Sequence, residues 1–299
     1  MPSHSQEVIL VTGASGHVGK AVCEQLRLSG EKFVASDIRG ENMPPEFVPC
    51  DLTQGEPVRS LFQRGAIRVV IHLAAVLPSA YHAEPLAGAA INLVGSLNLL
   101  REAVVHRVRR FVFASSVSVY GLTGKCSRPM KEEDPAAPDE AYGASKRAIE
   151  VIGENLHEAG KVEFVALRLA RVIGPGIEKT SSPWRAQILE KPSADTPISI
   201  PFAPDAEICF LHVEDAARML LTLAGAPVVR HRIYNAPAEI REARQLKALI
   251  EERHAVAVEL GPEGVYAGAT CDGSRFAREF RFQVSSLQER LAQARSPTR

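Results

Sequence analysis

The sequence lacks the marks of several common protein classes. No apolar run approaches the ~18 residues of a membrane-spanning helix. The best candidate, around Ala216 to Val229, is interrupted by Arg218 and Pro227. Met1 to Gln6 is short and polar, without the charged and apolar regions of a secretory leader. An excess of charge of one sign is also missing. Thirty-five basic and 35 acidic side chains cancel, so neither the basic footprint of a nucleic-acid binder nor a polybasic membrane anchor is present. Cysteine is scarce. Cys23, Cys50, Cys126, Cys209 and Cys271 are scattered, odd in number and never spaced C-x-x-C. That argues against a disulfide framework and for a reducing compartment. There is no internal repeat, no low-complexity tract and no expected metal site. A soluble, cytoplasmic protein is expected, acting on a small molecule, with no nucleic-acid or membrane partner.

What is present is ordinary in bulk and specific in pattern. The 299 residues, 45% hydrophobic and 23% charged, suit one large soluble domain or two modest ones. Glu7 to Thr12 is a short β-branched run of the kind found in buried parallel strands. Gly13-Ala14-Ser15-Gly16-His17-Val18-Gly19 follows at once, and a helical pattern then runs to about Leu28, with Gly30 as its stop. Strand, glycine-rich turn and helix form the context in which a dinucleotide can bind. Gly13 allows a tight turn, Gly16 lets backbone approach a pyrophosphate, and Gly19 lets helix and strand pack closely. The pyrophosphate would rest on the free N–H groups of the helix start. The spacing is G-x-x-G-x-x-G, not the commoner G-x-G-x-x-G.

Further strands are read at Lys32–Ser36, Phe47–Cys50, Ile67–Leu73, Arg109–Ser115 and Val162–Leu169, alternating with helical stretches. This alternation predicts a doubly wound parallel sheet. Asp37, about 20 residues past the glycines, suits the ribose hydroxyls of NAD and repels a 2′-phosphate, with Arg39 as a complication. NAD is therefore expected ahead of NADP. Asp51, followed by Leu52, suits either the adenine amino group or the N-cap of a helix from Thr53 to Arg64. His72 reads as structural. The small residues after it, Leu73-Ala74-Ala75, permit close approach of a cofactor. A long helix is predicted from Glu84 to His106, carrying Asn92 and Gly95. The fifth strand delivers Ser115 and Ser116 at its carboxyl end, where open α/β sheets place ligands.

Tyr142 and Lys146 lie four residues apart on a helix predicted from Asp139, neighbours across one turn. A phenol has a reference pKa near ~10, and an adjacent ammonium favours its phenolate. Such a pair near a hydroxyl is a general acid/base for an alcohol or a ketone. After Arg168 the pattern changes. Gly174-Pro175-Gly176 breaks it, and smaller elements follow: a helix at Trp184–Leu189, a strand at Ile208–His212, a helix at Val213–Leu223, a strand at His231–Asn235, a helix at Arg241–Glu252, then Gly273–Phe282 and an amphipathic Val284–Ala294. These are expected to pack over the carboxyl edge of the sheet and form the substrate side of a cleft.

With these residues in hand, the chain resembles the extended short-chain dehydrogenase/reductases, the NAD-dependent epimerase/dehydratase family. The ordered matches are Thr12-Gly13-x-x-Gly16-x-x-Gly19, Asp37, Asp51-Leu52, His72-Leu73-Ala74-Ala75, Asn92, Ser115-Ser116…Val119-Tyr120-Gly121, Tyr142-x-x-x-Lys146, Arg168…Gly174-Pro175-Gly176 and Phe210-Leu211-His212-Val213-Glu214-Asp215. The resemblance implies a Rossmann-type NAD-binding domain over 1–170. Residues 171–299 are then mainly a smaller, mixed substrate-binding region, some of whose elements can return to the sheet. It implies Tyr142 as acid/base, Lys146 as the group that lowers its pKa and binds the nicotinamide ribose, and Ser116 as the hydroxyl on the reacting oxygen. The implied cofactor contacts are Gly13, Ser15, Gly16, His17, Val18, Gly19, Asp37, Ile38, Asp51, Leu52, Leu73, Ala74, Ala75, Asn92, Ala114, Tyr142 and Lys146.

The departures narrow the chemistry. Family dehydratases carry an Asp-Glu pair where this chain has Val117 and Ser118, which argues against dehydration. Members that bind nucleotide-diphosphate sugars carry an Arg-Asp pair where this chain has Ile208-Cys209, and an Asn where it has Arg171. Arg171, Arg185 or Arg275 could substitute as anchors. A smaller, anionic, polyhydroxylated substrate such as a sugar acid is expected, with Ser118, Arg171 and the Ser181-Ser182-x-Trp184-Arg185 loop as contacts. The leading expectation is NAD-dependent oxidation of a secondary alcohol or hemiacetal carbon of a small sugar derivative. The rivals are a nucleotide-sugar epimerase with retained NAD and a non-catalytic NAD-binding regulator. In the family, two long helices often pack against a second subunit. Here these would be 84–106 and 139–160, so a homodimer is expected.

Overall fold

The computed structural model describes residues 8–40, 45–121, 128–177, 182–190 and 197–293. Strands β1 (Val8–Thr12), β2 (Phe33–Asp37), β3 (Phe47–Pro49), β4 (Ile67–His72), β5 (Arg110–Ser116) and β6 (Glu163–Leu169) alternate with α1 (His17–Leu28), α2 (Gly55–Phe62), α3 (Pro78–Ala83), α4 (Pro85–Ala89), α5 (Ser96–Val105) and α6 (Ala141–Glu158). Beyond them come β7 (Arg171–Ile173), α7 (Trp184–Gln187), β8 (Ile198–Ile200), β9 (Glu207–His212), α8 (Val213–Gly225), β10 (Ile233–Asn235), β11 (Glu239–Glu242), α9 (Ala243–His254), β12 (Val258–Leu260), α10 (Ser274–Phe280) and α11 (Leu287–Gln293).

Seven strands form one sheet in the order β10-β6-β5-β4-β1-β2-β3, and every pairing in it is parallel. The predicted α/β Rossmann-type architecture is the observed one. The order reverses beside β1, so β1 and β4 diverge at the switch point where such sheets bind ligands. Apolar side chains fill both faces. Val22 and Leu26 of α1 meet Leu220 and Leu223 of α8 on one face. Leu61, Phe62, Leu99, Leu100 and Ile149 from α2, α5 and α6 cover Phe111, Phe113 and Phe164 on the other. A third cluster, built on Trp184, Ile198, Ile200, Phe210, Leu246 and Ile250, holds the smaller sheets β11-β9-β7 and β12-β8 together. No helix among the described residues is long and apolar enough to cross a membrane.

Several sequence expectations need correction. The helix expected over Glu84–His106 is not regular. It starts at Pro85, whose fixed φ suits a first helical turn, and it carries a π-helical segment at Ala90–Gly95 before α5. The helix expected from Asp139 begins at Ala141, because the Glu140 carboxylate caps it by accepting from the N–H groups of Tyr142 and Gly143. Beyond residue 170, α8 and β10 belong to the large sheet layer: α8 packs on α1, and β10 pairs with β6. Strands β8, β11 and β12 have three or four residues each, too few for a period-2 pattern to stand out.

Candidate active site

The turn between β1 and α1 is built by close approach. Gly13 has φ +72°, the left-handed region that favours glycine. A Cβ there would lie 2.5 Å from the Ala74 nitrogen, in the loop after β4. At Gly19 a Cβ would lie 2.1 Å from the Gly13 oxygen, so α1 and the turn touch without spare room. Gly16 is different. Its φ of −72° and ψ of 168° are ordinary extended backbone, and a Cβ would meet only the Gly13 oxygen, at 3.2 Å. As N-cap it offers no side-chain acceptor, so the first-turn N–H groups of α1 receive none from that position. Glycine at an unstrained position beside uncapped amides fits a diphosphate drawn close to backbone.

A cavity of about 250 Å³ opens beside this turn, lined by Gly13, Ser15, Gly16, Asp37, Ile38, Asp51, Leu52, Leu73, Ala74 and Ala75. Ten of the residues implied as cofactor contacts therefore meet in one place. Asp37 Oδ2 accepts from the Ser15 N–H at 3.1 Å and the Ser15 hydroxyl at 2.6 Å. Its Oδ1 accepts from the Ile38 N–H at 2.7 Å. The carboxylate is thus held at the end of β2 where a ribose would lie. Asp51 Oδ1 accepts from the Thr53 N–H and hydroxyl at 2.9 and 2.8 Å. Helix α2 has Gln54 as its N-cap, so the expected capping by Asp51 is not what forms; its carboxylate instead orders the turn before α2 while lining the cavity.

The other implied contacts do not line the cavity. Asn92, on the π-helical segment, spends its amide on Val76, accepting from the N–H at 2.8 Å and donating to the carbonyl at 3.0 Å. It clamps the loop that forms the cavity's floor. His72 is structural, as read: Nδ1 meets the Thr12 hydroxyl at 2.7 Å and Nε2 meets Ser96 Oγ at 2.8 Å. Because Ser96 donates to the Asn92 carbonyl, it accepts from Nε2–H, which fixes the neutral tautomer. Burial, helped by Lys146, pushes the His72 pKa down to about 3. His17 sits at the start of α1, its pKa lowered to about 4 by burial and then by Arg185. Val18 packs against the core beside α8. Thr12, Ser36, Cys50, Thr53, Val76 and Ile91 also line the cavity. Apart from Thr12, which heads the glycine motif, the sequence does not single them out, although each adjoins a strand end or a residue that it does.

Ser116, Tyr142 and Lys146 converge at the carboxyl end of β5. Ser116 Oγ accepts from the Ser118 N–H at 3.1 Å and donates to Ser118 Oγ at 3.0 Å, at the head of a 3₁₀ turn over Val117–Tyr120. Tyr142 is buried. Desolvation pushes its phenol up to about 12, opposed by a hydrogen bond with Ser116 and reinforced by the Glu140 carboxylate. Lys146 is also buried. Its Nζ donates to the Ala114 carbonyl at 2.9 Å and lies 4.7 Å from the Phe113 ring centre and 5.7 Å from that of Tyr142. Desolvation lowers its pKa to about 7, with Glu150 acting upward. Ser115 turns away from this group and donates to Glu150 Oε1 at 2.6 Å. Of the two adjacent serines, Ser116 is the one facing the phenol. Glu140 and Glu150, both bonded to parts of this site, were not picked from the sequence. The signal for Glu150 was a second four-residue step after Lys146.

On the other side of the sheet edge, Arg171 donates to the Ala267 carbonyl at 2.6 Å and lies 5.1 Å from the Phe202 ring centre. Burial lowers its pKa to about 10. Arg185 acts on both Arg171 and His17, so three basic groups gather there. Arg275 is committed elsewhere, to Glu133, to Glu132 at 3.6 Å and to the Ile233 carbonyl at 3.2 Å. Ser181 lies outside the described residues. Among the described residues no group of metal-ligating side chains gathers.

A sequence profile of the NAD dependent epimerase/dehydratase family matches residues 9–236. The chain belongs to this family. Within the family it is 32% identical to the UDP-glucose 4-epimerase of Bacillus subtilis (strain 168) over 175 residues, 53% of this chain and 50% of that protein. It is 26% identical to the mitochondrial L-threonine 3-dehydrogenase of Bos taurus over 248 residues, 78% of this chain and 65% of that protein. The chain spans about half the length of the curated epimerases it matches. The structure of a Thermus thermophilus UDP-glucose 4-epimerase in complex with NAD superposes with a TM-score of 0.82 at 23% identity, covering 96% of this chain and 97% of that one. The family fold thus extends past the profile match, through the smaller sheets.

Proposed function

We propose that this chain is an NAD-dependent oxidoreductase that transfers hydride at a secondary alcohol or hemiacetal carbon of a small, sugar-derived substrate. The observation that carries the reading is the meeting of Ser116 and Tyr142, with Lys146 one helical turn on, at the same sheet edge as the glycine turn. A binder that performs no chemistry has no use for a buried phenol bonded to a serine, which disfavours the regulator alternative. NAD, when bound, accepts the hydride from the substrate carbon. The Tyr142 phenolate takes the proton from the substrate hydroxyl, and the Ser116 hydroxyl stabilises the charge that develops on that oxygen. The charged Lys146 side chain, with Nζ 5.7 Å from the Tyr142 ring centre, opposes the desolvation that holds the phenol at about 12 and so favours the phenolate. Gly13, Gly16 and Gly19 seat the diphosphate, and Asp37 takes the ribose hydroxyls. Its fixed carboxylate favours NAD over NADP, since a 2′-phosphate would meet like charge.

The substrate is proposed to be small and anionic. Arg171 and Arg185 supply positive charge across the edge, Ser118 a hydroxyl beside Ser116. Ile208-Cys209 supplies no charge where a nucleotide-sugar binder holds its diphosphate, and Arg275 is held by carboxylates. The match to a dehydrogenase covers 78% of the chain, against 53% for the epimerase, which supports net oxidation. The epimerases at up to 32% identity favour the second reading, a retained NAD that returns hydride to the other face of the sugar. A screen of sugar acids and nucleotide sugars with NAD separates them. Reduced-cofactor absorbance that grows with each turnover indicates a dehydrogenase. Isomer formation without net absorbance indicates an epimerase. The proposed assembly is a homodimer through α4, the π-helical segment, α5 and α6, which present Leu86 (88% exposed), Val94, Leu97, Val105 and Val151 to the surface.

A further inference from the structure

Beneath Lys146 lies a carboxylate that the chemistry above does not use. Glu150 has no exposed surface. It accepts from Ser115 Oγ at 2.6 Å, from Arg168 Nε and Nη2 at 2.8 and 2.7 Å, and from Arg147 Nη1 at 3.0 Å. Four donors on one buried carboxylate satisfy it fully, and an isolated buried charge would otherwise be costly. The donors come from three elements. Ser115 is on β5, Arg168 is its register partner on β6, and Arg147 is on α6. The next residue along β5 is Ser116, paired with Leu169. Arg168 continues the network, donating to the Tyr120 hydroxyl at 2.6 Å, and that hydroxyl donates to Asn235 Oδ1 at 2.9 Å on β10. One carboxylate therefore joins the ends of the strands that carry the site to the helix that carries Tyr142 and Lys146.

Glu150 is also four residues after Lys146, and so one turn away on the same helix face. We propose that Glu150 is a positioning residue: held by Arg168 and Ser115, it fixes the end of β5 against α6 and sets a negative charge one helical turn from Lys146. This rests on Lys146 being the cofactor-facing lysine of the proposed site. The charged and titratable groups nearby divide cleanly. Tyr142 and Glu150 on α6 and His72 on β4 face Lys146. Arg147 and Glu154 on α6, Arg168 on β6 and Tyr120 on the 3₁₀ turn surround Glu150. Arg101 and Glu102 on α5 pair with each other, and His82 on α3 lies 4.0 Å from Glu140. His72 is neutral, so the one charge acting on Lys146 against its burial is that of Glu150.

The test reads the lysine directly. Protein labelled with ¹³C and ¹⁵N in lysine is titrated by NMR, and the Lys146 signal is assigned by its loss in Lys146→Arg. Glu150→Gln keeps the shape and removes the charge. Side chains four residues apart on a helix are about 6 Å apart, and a unit charge at that separation and an effective dielectric of ~20 shifts a pKa by about one to two units, so the Lys146 midpoint should fall by that much. Ser115→Ala, which leaves the charge, should leave the midpoint in place. If Glu150→Gln does not fold, Arg168→Gln is titrated instead: it leaves the carboxylate in place and removes the positive charge bonded to it, so the Lys146 midpoint should rise. An unmoved midpoint in a folded variant overturns the proposal. So does failure of both variants to fold, which would leave Glu150 a purely structural group. Turnover by the wild type with an unmoved midpoint would sink this proposal and spare the proposed function. A fallen midpoint in a protein that turns over nothing would do the reverse.

Discussion

Alanine at Gly16 and alanine at Gly19 should produce opposite signatures, although both replace a glycine of one turn. At Gly19 the new methyl carbon would sit 2.1 Å from the Gly13 oxygen, 2.7 Å from Ala14 Cα and 2.9 Å from the Ala14 carbonyl carbon. All three are backbone atoms, so no side chain can rotate away. The helix and turn must separate by about an ångström, and overpacking of this kind costs about 1–3 kcal/mol. For a large domain each kcal/mol moves the melting temperature by about 2–4 °C, so Gly19→Ala should melt about 2–12 °C lower and bind NAD poorly. At Gly16 the backbone is ordinary and the closest contact is 3.2 Å. Stability should change far less than in Gly19→Ala, because the entropic gain of alanine is offset by the few tenths of an ångström that the Gly13 oxygen must give. The methyl would nevertheless stand where the diphosphate meets backbone, and NAD should bind at least ~10-fold more weakly, about 1.4 kcal/mol. Calorimetric melting without ligand and titration calorimetry with NAD measure the two effects separately. A wild-type dissociation constant for Gly16→Ala would refute the diphosphate seat. An unchanged melting temperature for Gly19→Ala would refute the tight packing of α1 on the turn.

Tyr142→Phe should lower hydride transfer by at least ~100-fold while NAD affinity stays within a few-fold. Equal loss of both in binding and turnover assays would mark the phenol as structural. His72, neutral when folded with a pKa of about 3, takes up its proton near ~6.5 only when unfolded. Its share of stability is therefore present above pH 6.5 and is lost as pH falls from there toward 3, at up to ~1.4 kcal/mol per pH unit. Denaturant midpoints at pH 7, 6 and 5 should fall accordingly, and the fall should be shallower in His72→Gln. Leu97→Glu places a charge in the exposed apolar stripe of α4 and α5. Sedimentation at micromolar concentration should show a dimer for the wild type and a monomer for the variant, and a monomeric wild type would overturn the assembly.

The sheet was legible in the sequence because its strands are continuous β-branched runs buried on both faces, and because glycine and proline punctuate them. The glycine turn was legible for the same reason: Gly13 and Gly19 are required by sterics that leave no alternative side chain. Asp37 and Asp51 could be placed because they follow strand ends. What could not be read is long-range. Nothing local in Val213–Gly225 or Ile233–Asn235 says that they rejoin the large sheet, since that depends on α1 and β6 more than 60 residues away. The π-helical segment was hidden because nothing in the apolar spacing of Ala90–Gly95 marks a change of helical register, and the bonds from Asn92 to Val76 that sit on it are made across the fold. Glu150 was passed over because a lone acidic residue on a helix usually faces water. Only the fold brings Ser115 and Arg168 to it.

The return of α8 to the sheet bears on the order in which the chain can fold. The inner stripe of α1, including Val22 and Leu26, is covered by Leu220 and Leu223. At a synthesis rate of ~5–20 residues per second, roughly 3–11 s separate the emergence of β6 from that of α8. During that interval one face of the nascent sheet is open, its apolar side chains in water and available to chaperones or to wrong partners. A fragment cut near residue 170 would be frozen in that state. The sheet and the smaller lobe are therefore better regarded as one unit of biogenesis, closed only when the chain has travelled out to the substrate side and come back.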